Sequence, residues 1–249
     1  MIALLLALGS SLAYGCADFL GGLGARKAHV LRTVMIAAPA SLVVELLLWP
    51  VLGASFGVGA LGWGAASGVA SAAAFVLLYR TLAIGPMNVL SPVTALVSAA
   101  LPVGVGLLQG EHLAVAGLVG LPLALVTVVL VSAGHGAGAA CPSRTALLLA
   151  FGAGATIALQ LIFLHRAPSD SGVAPLIVGR AVSSGVTLAA AGVLYRRLGP
   201  ERPAYAMSAC AGVLDSVANL LFLLAERVHR GQLVGLGTAA VAVSLLALT

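Results

Sequence analysis

Apolar stretches of about twenty residues follow one another along this chain with only short polar breaks between them. A helix rises 1.5 Å per residue, so ~20 apolar residues cross the hydrocarbon core of a bilayer. Segments of that kind run over 2–23, 31–52, 60–79, 84–108, 113–133, 145–165, 172–195, 204–224 and 231–248. The pattern predicts an all-α integral membrane protein with about nine transmembrane helices. Gly, Pro and Arg punctuate the connections. The first stretch has no basic residue before Arg26, so it reads as a retained span and not as a cleaved signal peptide.

The longest connection, 134–144, is rich in Gly and Ala and separates two copies of one pattern. ALLLALG at Ala3–Gly9 recurs as ALLLAFG at Ala146–Gly152, 143 residues on. SGV at Ser67–Val69 is matched by AGV at Ala211–Val213, 144 residues on. Glu111, with Gly120 nine residues later, is matched by Glu226 and Gly235, but only 115 residues on. The last offset is 29 residues short, about one span and a turn. The expected organisation is a five-helix repeat at 1–133, a linker at 134–144 and a four-helix repeat at 145–249. A five-span unit duplicated in tandem puts its copies in opposite orientations, giving two inverted repeats with a binding site between them.

Composition supports the membrane reading. The chain is 61% apolar and 8% charged, against about 25% charged in ordinary soluble domains. The net charge is +5, yet the basic residues sit in short clusters between spans, such as Arg26-Lys27 and Arg196-Arg197. That placement marks topology at a membrane surface and argues against nucleic acid as a partner. Connections of odd number hold eight Lys and Arg and those of even number three, which places the odd ones in the cytoplasm. Arg far exceeds Lys, and Ala and Gly abound, in keeping with a bacterial plasma (inner) membrane. Cys16, Cys141 and Cys210 are too few and too scattered for a disulfide framework or a zinc site. The five histidines lie in loops or near span ends without metal-ligand spacing. No catalytic or nucleotide-binding motif is present, so neither an enzyme nor any cofactor or metal is expected.

Several runs resemble the EamA-type repeat of the drug/metabolite transporter superfamily. They are YRTLAIGP at Tyr79–Pro86, Pro92-Val93, Leu101-Pro102, and Gly110-Glu111 followed by GLVG at Gly117–Gly120. YGCADFLGG at Tyr14–Gly22 and GVLDSVAN at Gly212–Asn219 are similar to bacterial members. The resemblance spans the chain. It implies a carrier of small metabolites, amino acids or drugs, built from two five-helix repeats whose third and fourth helices help line a central cavity. It also implies a cytoplasmic N-terminus, opposite to the charge count. The chain departs from the ten-helix plan at the ninth helix. Two functions follow: a secondary carrier working by alternating access, or a transport-inactive remnant with a structural or partner-binding role. The expected partners are the bilayer and a small-molecule substrate, with a homodimer left open.

Ionisable groups inside spans cost at least ~2.5 kcal/mol at the helix centre and are functional candidates by default. Asp18 falls in span 1, Gln160 in span 6, Arg180 in span 7, and Asp215 in span 8 with Asn219 one turn on. In the functional reading these residues meet a substrate or a coupling proton in one cavity, because desolvation favours the neutral form of a buried carboxylate. In the structural reading, Arg180 neutralises Asp215 or Glu45. Glu45 is expected to snorkel from the nearby end of its span. Tyr79 and Arg80 close span 3 and read as an interfacial anchor, with Tyr79 facing the cavity as the alternative. Pro86, Pro92 and Pro102 punctuate span 4 and make it a candidate hinge.

Overall fold

The computed structural model describes residues 2–108, 126, 142–194, 198–199 and 201–228. These hold seven long helices: α1 (Ile2–Lys27), α2 (Val30–Leu52), α3 (Val58–Ile84), α4 (Met87–Leu108), α5 (Arg144–His165), α6 (Ala174–Val193) and α7 (Tyr205–Val228). A 3-10 turn at Ser169–Ser171 precedes α6. All seven are long and apolar enough to cross a membrane, and the described residues contain no strand. The chain is an all-helical, multi-pass membrane protein. The predicted spans 113–133 (Val126 apart) and 231–248 lie outside the described residues, as do Glu111, Cys141 and most of the 134–144 linker. Glu226 falls in the last turn of α7.

Local chemistry sets the helix ends. His29 accepts at Nδ1 from the Leu31 amide (3.3 Å) at the start of α2, and the Ser143 hydroxyl accepts from the Ala146 amide (3.1 Å) at the start of α5. The α3 helix runs five residues beyond its predicted end at Tyr79. Arg80 turns outward there, and Arg26 donates to the terminal carbonyls of Leu82 (3.0 Å) and Gly85 (2.9 Å). Pro86 does not interrupt α4 as expected. It precedes the helix, where its missing N–H costs nothing, and its carbonyl accepts from Val89 (3.2 Å) and Leu90 (3.1 Å). Pro92 and Pro102 do lie inside α4.

Burial is inverted relative to a soluble protein. Leu5, Leu47, Val58, Leu148 and Val193 face outward, whereas Glu45, Arg180, Asp215 and Asn219 are enclosed. Lipid is the solvent in which that distribution is favourable. Cys16 and Cys210 are unpaired, and Cys210 faces outward.

The helices interlock in a repeated scheme. Antiparallel α1 and α7 meet where Gly9 faces Leu221 and Ser10 donates to the Ala218 carbonyl (2.8 Å). Antiparallel α3 and α5 meet where Ser67 donates to the Gln160 carbonyl (3.2 Å) and Gly152 faces Leu77. Parallel α2 and α7 touch at Ala37 and Gly212, and parallel α3 and α6 touch at Gly68 and Gly179. At both glycines a Cβ would collide with a backbone carbonyl of the neighbouring helix, so only glycine permits the approach. The α4 helix lies along α5, with Gly154 against Thr94 and Val97.

Two ties define the faces of the bundle. The α2–α3 turn joins the α5–α6 turn through the bridge Ala54–Gly172, with Ser55 donating to Ser171 and Val173 to Gly53, both at 3.0 Å. On the opposite face, Arg32 donates to the Gly199 carbonyl, linking the start of α2 to the α6–α7 connection. That second face carries Arg26, Lys27, Arg32, Arg80, Arg144 and Arg202, and the first carries Arg166. Leu108 and Arg144 therefore lie on opposite faces.

Candidate functional site

Arg180, almost two turns into α6, is the hub of a buried polar network. Its Nε lies 3.5 Å from Glu45 Oε1 of α2, and its Nη1 donates to the Ser71 hydroxyl of α3 at 2.8 Å. Its Nη2 donates to Asp215 Oδ2 of α7. The guanidinium also sits over the Phe75 ring, 5.2 Å from its centroid. Asp215 Oδ2 accepts further from Ser41 (3.4 Å) and Asn219 (3.3 Å). Asn219 donates to the Asp215 carbonyl (2.8 Å) and accepts from Gln160 Nε2 (3.3 Å). The i, i+4 spacing of Asp215 and Asn219 thus forms the shared face expected of it.

Glu45 does not snorkel. It is 0% exposed, its Oε1 accepts from Ser216 at 3.2 Å, and its Oε2 has no hydrogen-bond partner among the described residues. It lies two turns inside the end of α2 and faces α6 and α7, where Arg180 supplies a nearer countercharge than the membrane surface could. Arg180 therefore holds both carboxylates that the structural reading offered as alternatives.

Tyr79 is not an interfacial anchor. It is wholly enclosed within α3, and the end of its ring lies against Gly21 of α1, where a Cβ would overlap the ring carbons and hydroxyl. Arg80 alone reaches the surface there. Asp18, one turn before Gly21, is partly buried on α1. It is not part of the Arg180 network, and no Lys, Arg or His among the described residues pairs with it. Tyr14, one turn earlier still, and Tyr79 both hold enclosed hydroxyls with no hydrogen-bond partner among the described residues. Hydrogen bonds and ion pairs join Arg180, Asp215, Gln160 and Asn219, whereas Asp18 and Tyr79 make no such bond to them among the described residues but lie within electrostatic reach of Asp215.

A cleft beside the first cluster is lined by Ser67, Ser71, Gln160, Arg180 and Asn219, backed by Gly68, Pro175, Leu176 and Gly179. Its free space is about 10 Å³, hardly more than a single water needs, so the cleft as it stands holds no solute. Sequence reasoning passed over Tyr14, Ser41, Ser71, Phe75 and Ser216. One signal for Ser71 was present, since the 144-residue offset of the repeat places it opposite Asp215.

No protein-family model matches the chain, and no curated protein matches it.

Proposed function

We propose that the chain is a secondary carrier of the drug/metabolite type, in which two inverted repeats rock about a mid-membrane site to move a small organic solute. The observation that carries this reading is the set of polar and charged side chains gathered inside the apolar bundle between helices of the two halves: Glu45 and Ser71 from the first, Gln160, Arg180, Asp215 and Asn219 from the second. Intramembrane polar groups are costly and mark solute or ion paths. The packing supports the duplication. Exchanging α1 with α5, α2 with α6 and α3 with α7 turns the α1–α7 contact into the α5–α3 contact, and α2–α7 into α6–α3, with helix directions preserved. The glycine approaches follow suit: Gly68 and Gly212 are 144 residues apart, and their partners Ala37 and Gly179 are 142 apart. Both counterparts of α1 and α2 run against their originals, as an inverted repeat requires.

The positive-inside rule places the face bearing Arg26, Lys27, Arg32 and Arg144 in the cytoplasm of a bacterial inner membrane. Movement is driven by a proton gradient or by exchange. The test is uptake of labelled amino acids and metabolites by proteoliposomes, with and without an imposed proton gradient. Saturable flux supports the carrier.

The second reading, a transport-inactive remnant, draws on the small volume of the cleft and the 29-residue shortfall near the ninth helix. It predicts no flux from the chain itself and flux from a version with a span restored after Ala225.

A further inference from the structure

Three carboxylates inside the spans, Asp18, Glu45 and Asp215, accompany one guanidinium inside the spans, Arg180, among the described residues. Glu45 and Asp215 are both bound to Arg180, whereas Asp18 has no countercharge there. A bare carboxylate at that depth is unfavourable unless a cation or a proton joins it.

The surroundings of Asp18 are built. Tyr14, Asp18 and Gly21 lie on one face of α1 at helical spacing. Tyr79 of α3 seats its ring end on Gly21, which brings its hydroxyl beside the Asp18 face and within electrostatic reach of that carboxylate. Tyr79 is fully enclosed and its hydroxyl is unpartnered, and the Tyr14 hydroxyl is enclosed and unpartnered too. Enclosed hydroxyls rarely go without a hydrogen bond, so the Tyr79 hydroxyl beside Asp18, with the Tyr14 hydroxyl between Asp18 and the Arg180–Asp215 pair, points to an occupant. The two carboxylate oxygens and the two phenol oxygens together offer enough acceptors for the three N–H donors of a primary ammonium. A multi-carboxylate metal site is not formed, since the described residues gather no three His, Cys, Asp or Glu side chains suited to a metal.

We propose that Asp18, Tyr14 and Tyr79 form a binding site for a primary ammonium group, so that the solute carried is an organic cation. This deepens the carrier reading and rests on it for the word "carried", while the binding site stands on its own geometry.

The test is equilibrium binding of tritiated tyramine to the purified full chain in nanodiscs. Saturable binding is expected, displaced by n-butylammonium but not by n-butanol or butyrate. Asp18→Asn should weaken it about a hundredfold and Tyr79→Phe about tenfold, both at unchanged melting temperature. Absence of tyramine binding by the parent, equal displacement by butyrate or butanol, or full affinity in Asp18→Asn would each overturn the site. If Asp18→Asn does not fold, Tyr14→Phe and Tyr79→Phe decide with the same competitors. Proteoliposome flux separates the two claims: binding without flux removes the carrier and keeps the site, whereas flux of a neutral or anionic solute without tyramine binding does the reverse.

Discussion

Charge is treated differently on the two sides of the bundle core. Between α2, α6 and α7, Arg180 holds Glu45 and Asp215, and Ser41, Ser71, Ser216 and Asn219 supply further bonds. Between α1 and α3, Asp18 has no countercharge among the described residues, and Tyr14 and Tyr79 leave their hydroxyls unused. A buried ion pair contributes little net stability when complete but much is lost when one partner goes, because the other charge is then stranded. The first side therefore fixes how helices of the two halves sit together. On the second side Tyr79 packs its ring in the apolar core, while the Tyr14 and Tyr79 hydroxyls make no hydrogen bond among the described residues that would hold the helices together.

That contrast can be broken by substitution. The largest effect is expected for Arg180→Ala, which strands two carboxylates and should cost ~3–5 kcal/mol. Thermal unfolding in detergent, followed by size-exclusion chromatography, would read this as a sharp fall in melting temperature or loss of the folded peak. An Arg180→Ala chain as stable as the parent would show that the paired side does not hold the helices. Next come Gly212→Leu and Gly68→Leu, each forcing a side chain into a neighbouring backbone at a cost of ~1–3 kcal/mol or more. If the halves are equivalent, the two losses should be alike. Gly62→Ala and Gly185→Ala, where the added Cβ meets open space, should leave the melting temperature unchanged or slightly raised.

A smaller loss, about 1 kcal/mol, is expected for Asn219→Ala, which removes two bonds to Asp215 and orphans the Gln160 amide. The smallest belongs to the other side. Tyr79→Phe deletes an unpartnered hydroxyl and should be neutral or slightly stabilising in the same melting assay. A loss there comparable to that of Asn219→Ala would mean that Tyr79 is structural, and the contrast between the two sides would fail.

Hydropathy alone located the seven described helices closely, because span length is set by bilayer thickness and not by tertiary detail. The ends were harder to read. Tyr79-Arg80 looked like a terminus because a charge follows an apolar run, yet α3 continues with Arg80 turned outward and Arg26 closing its carbonyls. Pro86 looked like an interruption and proved to be the residue before α4. Of the candidate site, the mid-span ionisable residues were visible one at a time, since each is conspicuous in an apolar run. Their grouping was not. Glu45 belongs with Arg180 and Asp18 does not, and only helix packing decides that. The serines around the cluster were invisible because Ser is also a common packing residue in membrane helices.

The central claim is that this chain moves a solute through a site that depends on Asp18. The most direct measurement is initial uptake of labelled amines, amino acids and metabolites into proteoliposomes holding either the parent or Asp18→Asn at equal amounts of folded protein. The account predicts saturable flux of at least one solute by the parent and its loss in Asp18→Asn. Undiminished flux in Asp18→Asn, or no saturable flux of any solute by the parent, would contradict it.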